Sequence, residues 1–227
     1  MLRNHTQCVP RVVALSVLVG LSGAAAAATA QSVSGEAYGA YVQTPVASQG
    51  KTPLAVLPSV SPGNGEMAEA SGQSLSVPGA LSSELVTSLT TGAIGSTKSS
   101  AQSVATVSDV SILNGLITAA RVIGVATTWR NGFTTTSEGD GSGFEGLTVA
   151  GVSMPAEPAP NTRMNLPGVG YVVLNEQIRS ASGITVNMIH VVLQSVTGGG
   201  CTPLGCLPEV TTTIGEIVVG SASSAVR

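Results

Sequence analysis

The dipeptide Asn114-Gly115 stands between two runs, 107–113 and 116–125, dominated by Val, Ile, Leu, Ala and Ser. A two-residue type I′ turn needs positive φ at both central positions, and Asn-Gly meets that need at the least steric cost. The pair therefore predicts a β-hairpin in which Leu113 faces Leu116 and Asp109 faces Ala120. Arg121 then lies diagonal to Asp109 but on the opposite pleat face, so no ion pair between them is expected. The rival reading is a helix over 116–129, favoured by Ala119, Ala120 and Ala126 and by the helical spacing of Leu116, Ala120, Ile123 and Thr127. Three threonines, Gly124 and the preceding Asn-Gly oppose it.

The rest of the chain repeats this character. Short stretches rich in Val, Ile and Thr, whose branched side chains suit a pleated surface, predict strands near 34–43, 53–57, 85–95, 102–113, 116–128, 146–153, 170–178, 184–194 and 209–220. A short helix over 81–89 is the alternative for that region, since Leu81, Leu85 and Leu89 recur every four residues. Residues 184–193 are apolar on both pleat faces towards their end, which predicts a central strand. Between strands lie three stretches read as connections, 45–73, 136–146 and 155–168, too densely punctuated by Gly and Pro for helix. Many short strands with turn signals predict an all-β fold, an antiparallel β-sandwich of jelly-roll type over residues 31–227. A β-solenoid is the alternative, although no repeat of fixed period is present.

Residues 1–30 carry Arg3 and Arg11, an apolar run from Val12 to Leu21, and a small-residue ending at Ala28-Thr29-Ala30. This is the layout of a secretory signal peptide with cleavage before Gln31. Its apolar run of about ten residues is too short to span a bilayer, and no later segment offers a span. Its removal leaves seven of the nine basic residues against twelve acidic ones, and a single histidine, His190. With no basic run, nucleic-acid binding is not expected. Cys201 and Cys206 remain in Cys-Thr-Pro-Leu-Gly-Cys, and in an oxidising compartment they are expected to form a disulfide closing a small loop.

Several segments, taken in order, resemble the bacterial family called choice-of-anchor P. They are Gly35-Glu36-Ala37-Tyr38-Gly39-Ala40, residues 113–120, Gly168 to Gln177, Asn187-Met188-Ile189-His190-Val191, and Gly215 to Ala222. The resemblance implies an exported all-β domain of proteins held at the cell surface by differing C-terminal devices, with no established activity. This chain has no Leu-Pro-x-Thr-Gly signal, hydrophobic tail or closing basic cluster, so release from the cell is the expectation.

His190, between Ile189 and Val191, reads as a hydrogen-bonded core residue rather than a catalytic base. A secreted hydrolase would have to use it, with Ser195, Asp109 or Asp140 as companions, and no Gly-x-Ser-x-Gly elbow is present. Glu176 shares an alternating face with Val172, Leu174 and Ile178, so it either meets solvent or is buried with a partner such as Arg179 or Arg163. Residues 138–145 gather three carboxylates, the basis of a second alternative, a calcium-dependent adhesion module. Trp129, Phe133 and Phe144 surround one loop region and form the candidate binding surface, unless they plug the end of the core. No cofactor is called for. The function expected is a secreted or cell-surface structural or interaction module whose partner is an extracellular ligand or a component of the cell envelope.

Overall fold

The computed structural model describes residues 32–202, 205–206 and 208–227; the signal-peptide reading of residues 1–30 lies outside them. Strands β1 (Val33–Gln43) and β2 (Ser48–Val56) open a first sheet. The chain then lays down a second sheet as β3 (Gly65–Gly72), β4 (Leu75–Val77), β5 (Leu81–Ser83), β6 (Val86–Ile94), β7 (Lys98–Ile112), β8 (Ile117–Asn131), β9 (Thr134–Glu138), β10 (Gly143–Glu145), β11 (Thr148–Val149) and β12 (Val152–Ser153). It returns to the first sheet with β13 (Thr162–Leu166), β14 (Gly170–Arg179) and β15 (Gly183–Thr197), forms a small ribbon of β16 (Cys201–Thr202) and β17 (Gly205–Cys206), and ends in β18 (Val210–Val226). The first sheet has the order β13-β14-β15-β18-β1-β2. The named strands of the two sheets pair antiparallel throughout, and neither sheet closes on itself. The fold is an all-β antiparallel sandwich.

The hairpin at Asn114-Gly115 forms as its sequence requires. Asn114 and Gly115 have φ of 57° and 87°, and the Leu116 amide donates to the Leu113 carbonyl at 3.3 Å. Pairs such as Ile112 with Ile117 and Ser108 with Arg121 keep the expected register. Neither helical alternative occurs: 81–89 is divided between β5 and β6, and 116–129 lies almost wholly in β8. The stretches read as connections contain strands, β2 and β3 in the first, β10 with parts of β9 in the second, and β13 in the third. Gly, Ser and Pro mark the ends and edges of these strands without preventing them.

Two sheets that pack with so few aromatic residues must come close together. A Cβ on Gly124 would lie 2.5 Å from the Gly220 carbonyl oxygen of the facing sheet, and one on Gly35 would collide with Thr90 Oγ1. At this waist, buried hydroxyls replace methyl groups. Ser103 donates to the Ser223 carbonyl at 2.7 Å, the Thr128 and Ser224 hydroxyls are hydrogen-bonded at 2.8 Å, and Ser88 donates to the Pro53 carbonyl at 2.9 Å. Each such bond contributes about 1 kcal/mol net and, more decisively, removes the cost of an orphaned polar atom. The waist separates a large aliphatic core, with Ile112, Ile117, Leu166, Leu174, Met188 and Ile217 fully buried, from a smaller one of Val33, Leu57, Ile94, Ala101 and Val226.

Each sheet is also crossed by a line at which strands reverse the side they turn inward. In β15, Ile184, Val186 and Met188 are in the core, and so are Ile189, Val191 and Leu193. The neighbouring pairs put Met188 level with Asn175 on β14 and with Gly220 on β18, where φ is 50° and 68°. In the second sheet Asp109, with φ of 52°, sits level with Ala120, and the breaks between β5 and β6 and between β10 and β11 continue that line.

Candidate functional site

The reversal at Asn175 turns Glu176 to the opposite side from Val172 and Leu174, onto the outer face of the first sheet. Strict alternation would have left it facing the core. Asn175 suits the left-handed backbone because its short amide tolerates that region, and its Nδ2 donates to the Pro158 carbonyl at 3.0 Å. The partner of Glu176 is neither Arg179 nor Arg163. Glu176 Oε2 accepts from Asn187 Nδ2 at 2.7 Å and lies 2.9 Å from His190 Nδ1. Arg163 instead lies over the Tyr171 ring, 3.7 Å from its centre, and Arg179 bonds the Ser137 carbonyl and Gln177.

The reversal on β15 has a second consequence. Because Met188 and Ile189 both turn inward, Asn187 and His190 become successive outward residues and face one carboxylate together. His190 Nε2 lies 3.2 Å from Glu216 Oε2 on β18. On the other side Ser221 donates to Asn187 Oδ1 at 2.7 Å, and its register partner on β1 is Tyr38. Tyr38, Ser221, Asn187 and Glu176 are successive register partners across β1, β18, β15 and β14. A continuous polar chain therefore runs Ser221, Asn187, Glu176, His190, Glu216, with Tyr38 beside its first member, and ties β14, β15 and β18 together from outside the core.

The electrostatics follow from these partners. Hydrogen bonding to Glu176 raises the His190 pKa above the ordinary 6.5, against the opposing effect of burial, and Glu216 adds to the rise. The same bond holds Glu176 below its ordinary 4.5. Burial pushes the Tyr38 hydroxyl up, and the neighbouring Ser221 hydroxyl works against that. Lys51 lies 5.0 Å from the centre of the Tyr38 ring and pairs with Glu36 at 2.5 Å, and this pairing raises its pKa. In the imidazolium both ring N–H groups donate to carboxylates.

This geometry limits the chemistry. A general base needs a free ring nitrogen facing a hydroxyl or thiol, and both nitrogens of His190 face carboxylates. Ser195 stands five residues further along β15, about 17 Å away at the rise of an extended strand. Asp109 and Asp140 belong to the second sheet and its loops. The two carboxylates also lie at different ring nitrogens, so they do not converge on one coordination position, and among the described residues no group of three or more His, Cys, Asp or Glu could hold a metal ion. His190 is thus hydrogen-bonded, as its sequence setting suggested. It is on the outer face rather than in the core between the sheets.

The expected aromatic surface is dispersed. Phe144 is buried in the aliphatic core opposite Val122, Trp129 stands seven residues along β8 opposite Thr136 and Ser100, and Phe133 is exposed in the β8–β9 turn. Proximity in sequence around a loop had suggested proximity in space. The alternation of β8 instead turns Trp129 to the outer face of the second sheet, because its neighbour Thr128 points inward to Ser224. In the acidic loop, Glu145 pairs with its register partner Arg121 at 3.1 Å. Cys201 and Cys206 are direct cross-strand partners in the β16–β17 ribbon. Asn187, Ser221, Tyr38 and Glu216 were not proposed as site residues from the sequence, although all four lie in the segments on which the family resemblance rests. A second signal was the density of polar residues in strands otherwise made of Val and Ile.

Compared with known proteins, the chain matches no family model, and no curated protein and no solved structure is similar to it. Among the described residues no helix is long and apolar enough to cross a membrane.

Proposed function

We propose that the chain is an exported β-sandwich that works as a structural or interaction module in the medium or at the cell surface, on the pattern of the choice-of-anchor P proteins that its sequence resembles. One observation carries the reading: the only histidine downstream of the signal-like segment has both ring nitrogens committed to carboxylates of neighbouring strands. The residue on which acid-base chemistry would depend is occupied in joining β14, β15 and β18. The layout of residues 1–30 supports export, and the paired register of Cys201 and Cys206 is compatible with a bridge formed in an oxidising compartment. The module requires no cofactor.

Cell fractionation with N-terminal sequencing tests the proposal. The expected result is a chain beginning at Gln31, recovered from the medium or the envelope. A chain that keeps Met1 and remains in the cytoplasm refutes it.

A further inference from the structure

The outer face of the second sheet carries a groove of about 720 Å³ that crosses β3, β6, β7 and β8. Its side chains include Met67, Thr91, Ala93, Ser100, Gln102 and Thr127. Of its lining residues only Glu66 carries a charge. The register explains the trough. Gly65, Ala93 and Ser100 are successive partners with small side chains, and beside them runs a second row, Met67, Thr91, Gln102 and Thr127, which is longer and mostly polar. The row of small residues continues into Trp129, the partner of Ser100, on the same face as Thr127. Gln102 Nε2 donates to Thr127 Oγ1 at 3.0 Å, which fixes the amide and leaves its carbonyl oxygen and second N–H for a ligand.

We infer that this groove binds a neutral polysaccharide or oligosaccharide. The inference rests on the interaction-module reading and names its ligand class. Three features favour that chemistry. The Trp129 indole stands next to the trough rather than in its lining, with Lys98 Nζ 5.9 Å from its centre, and offers a flat apolar surface for the C–H face of a sugar ring at the groove's end. Hydroxyl and amide groups supply both donors and acceptors at the spacing of neighbouring strands, about 4.8 Å. Charge is sparse and of mixed sign, with Glu66 in the lining, Glu138 beside Thr127 and Lys98 over the indole, so no basic cluster is present to hold an acidic chain. A peptide is the poorer fit: the backbone N–H and C=O groups of β6 and β7 are used in the ladder, so a peptide strand could add only along the outer edge of β3, beside the groove and not in it.

The chain has a single tryptophan, so its fluorescence reports on this face alone. Residues 31–227 are titrated with cellohexaose and with mannohexaose, followed by tryptophan emission and by calorimetry, alongside Gln102→Ala and Ala93→Gln. Ala93 is exposed, so the longer side chain fills the trough without entering the core. The expected result is saturable binding of at least one oligosaccharide with a change in emission. Each variant is expected to weaken it about 5- to 10-fold or more at an unchanged melting temperature. No saturable binding of either sugar overturns the inference, as does binding that both variants leave intact, or a preference for polygalacturonate or for an extended Ser/Thr peptide. Those failures leave the exported-module reading standing. A chain retained in the cytoplasm that still bound the sugar would refute that reading and keep the groove.

Discussion

Replacing His190 with glutamine keeps a hydrogen-bonding side chain on β15 but removes the capacity to carry a positive charge between Glu176 and Glu216. The two arms of the clamp differ in weight. The Glu216 side chain is 44% exposed, so that arm contributes no more than the roughly 0–1 kcal/mol of a surface pair. The His190 and Glu176 side chains are 18% and 19% exposed, and without the imidazolium Glu176 would keep Asn187 as its remaining identified donor. Leaving a largely buried carboxylate short of a partner costs about 1–3 kcal/mol. The substitution is therefore expected to destabilise by about 2 kcal/mol near pH 6, a fall in Tm of roughly 4–8 °C for a domain of this size.

The pH dependence separates this account from a simple packing effect. The folded-state pKa of His190 is raised, so its contribution is complete below the unfolded value of 6.5 and is lost as pH rises through the raised value. That of Glu176 is lowered, so its contribution is present above 4.5 and is lost as pH falls through the lowered value. Wild-type stability should peak between those two pKa values and decline on the alkaline side. Tyr38, pushed above 10.0, and Lys51, above 10.5, do not titrate in that window. Differential scanning calorimetry from about pH 5 to pH 9 at fixed ionic strength is the assay. The wild-type Tm should fall across the alkaline half of that range and His190→Gln should be nearly flat there, the two curves converging. Parallel curves, or a wild-type Tm that rises above pH 7, would refute the clamp.

Two further outcomes test other parts of the molecule. Gly124→Ala places a methyl group against the Gly220 carbonyl of the facing sheet, with no flexible side chain to yield, and should cost about 3 kcal/mol or prevent folding; Gly72→Ala, which meets nothing within 4 Å, should stay within about 0.5 kcal/mol of wild type in urea unfolding. The exported chain should contain a Cys201–Cys206 disulfide, read as the loss of two hydrogens in intact mass under non-reducing conditions. Since the bridge closes a very short loop between register partners, its reduction should shift the global Tm little.

The all-β class was legible because it depends on local chemistry. Asn114-Gly115 specifies its own turn, and β-branched runs such as 184–194 specify strands whatever their neighbours. The side each residue faces was less legible. Alternation assigns Glu176 to the face of Leu174, and only the left-handed backbone at Asn175, held by the Pro158 carbonyl, reverses that assignment. The same holds for His190, whose outward direction requires Met188 and Ile189 both to turn inward. Such reversals arise from tertiary packing and leave little local mark: an Asn in a strand-like run is a hint of left-handed backbone, since strands are poor in Asn, but the pair Met-Ile is ordinary there. Phe144 and Trp129 were misgrouped for a related reason: separation along an extended strand grows by about 3.4 Å per residue, so neighbours in sequence soon part in space.

The reversals also explain why the polar chain could form at all. A single strand that switched faces alone would move its apolar residues out of the core and its polar ones in, at roughly 1.5–3 kcal/mol for each large side chain displaced. When Asn175, Met188 and Gly220 lie level across three strands, the whole sheet switches together and the core is kept on both sides of the line. On the outer face the same switch puts two residues three apart on one side, which regular alternation would set on opposite faces. Asn187 and His190 are such a pair on β15, and Ser221 and Val218 on β18. Glu176 thereby gains two donors from one strand. The site is thus a product of the sheet's irregularity: restoring regular alternation at Asn175 would direct Glu176 towards the core and dissolve the clamp.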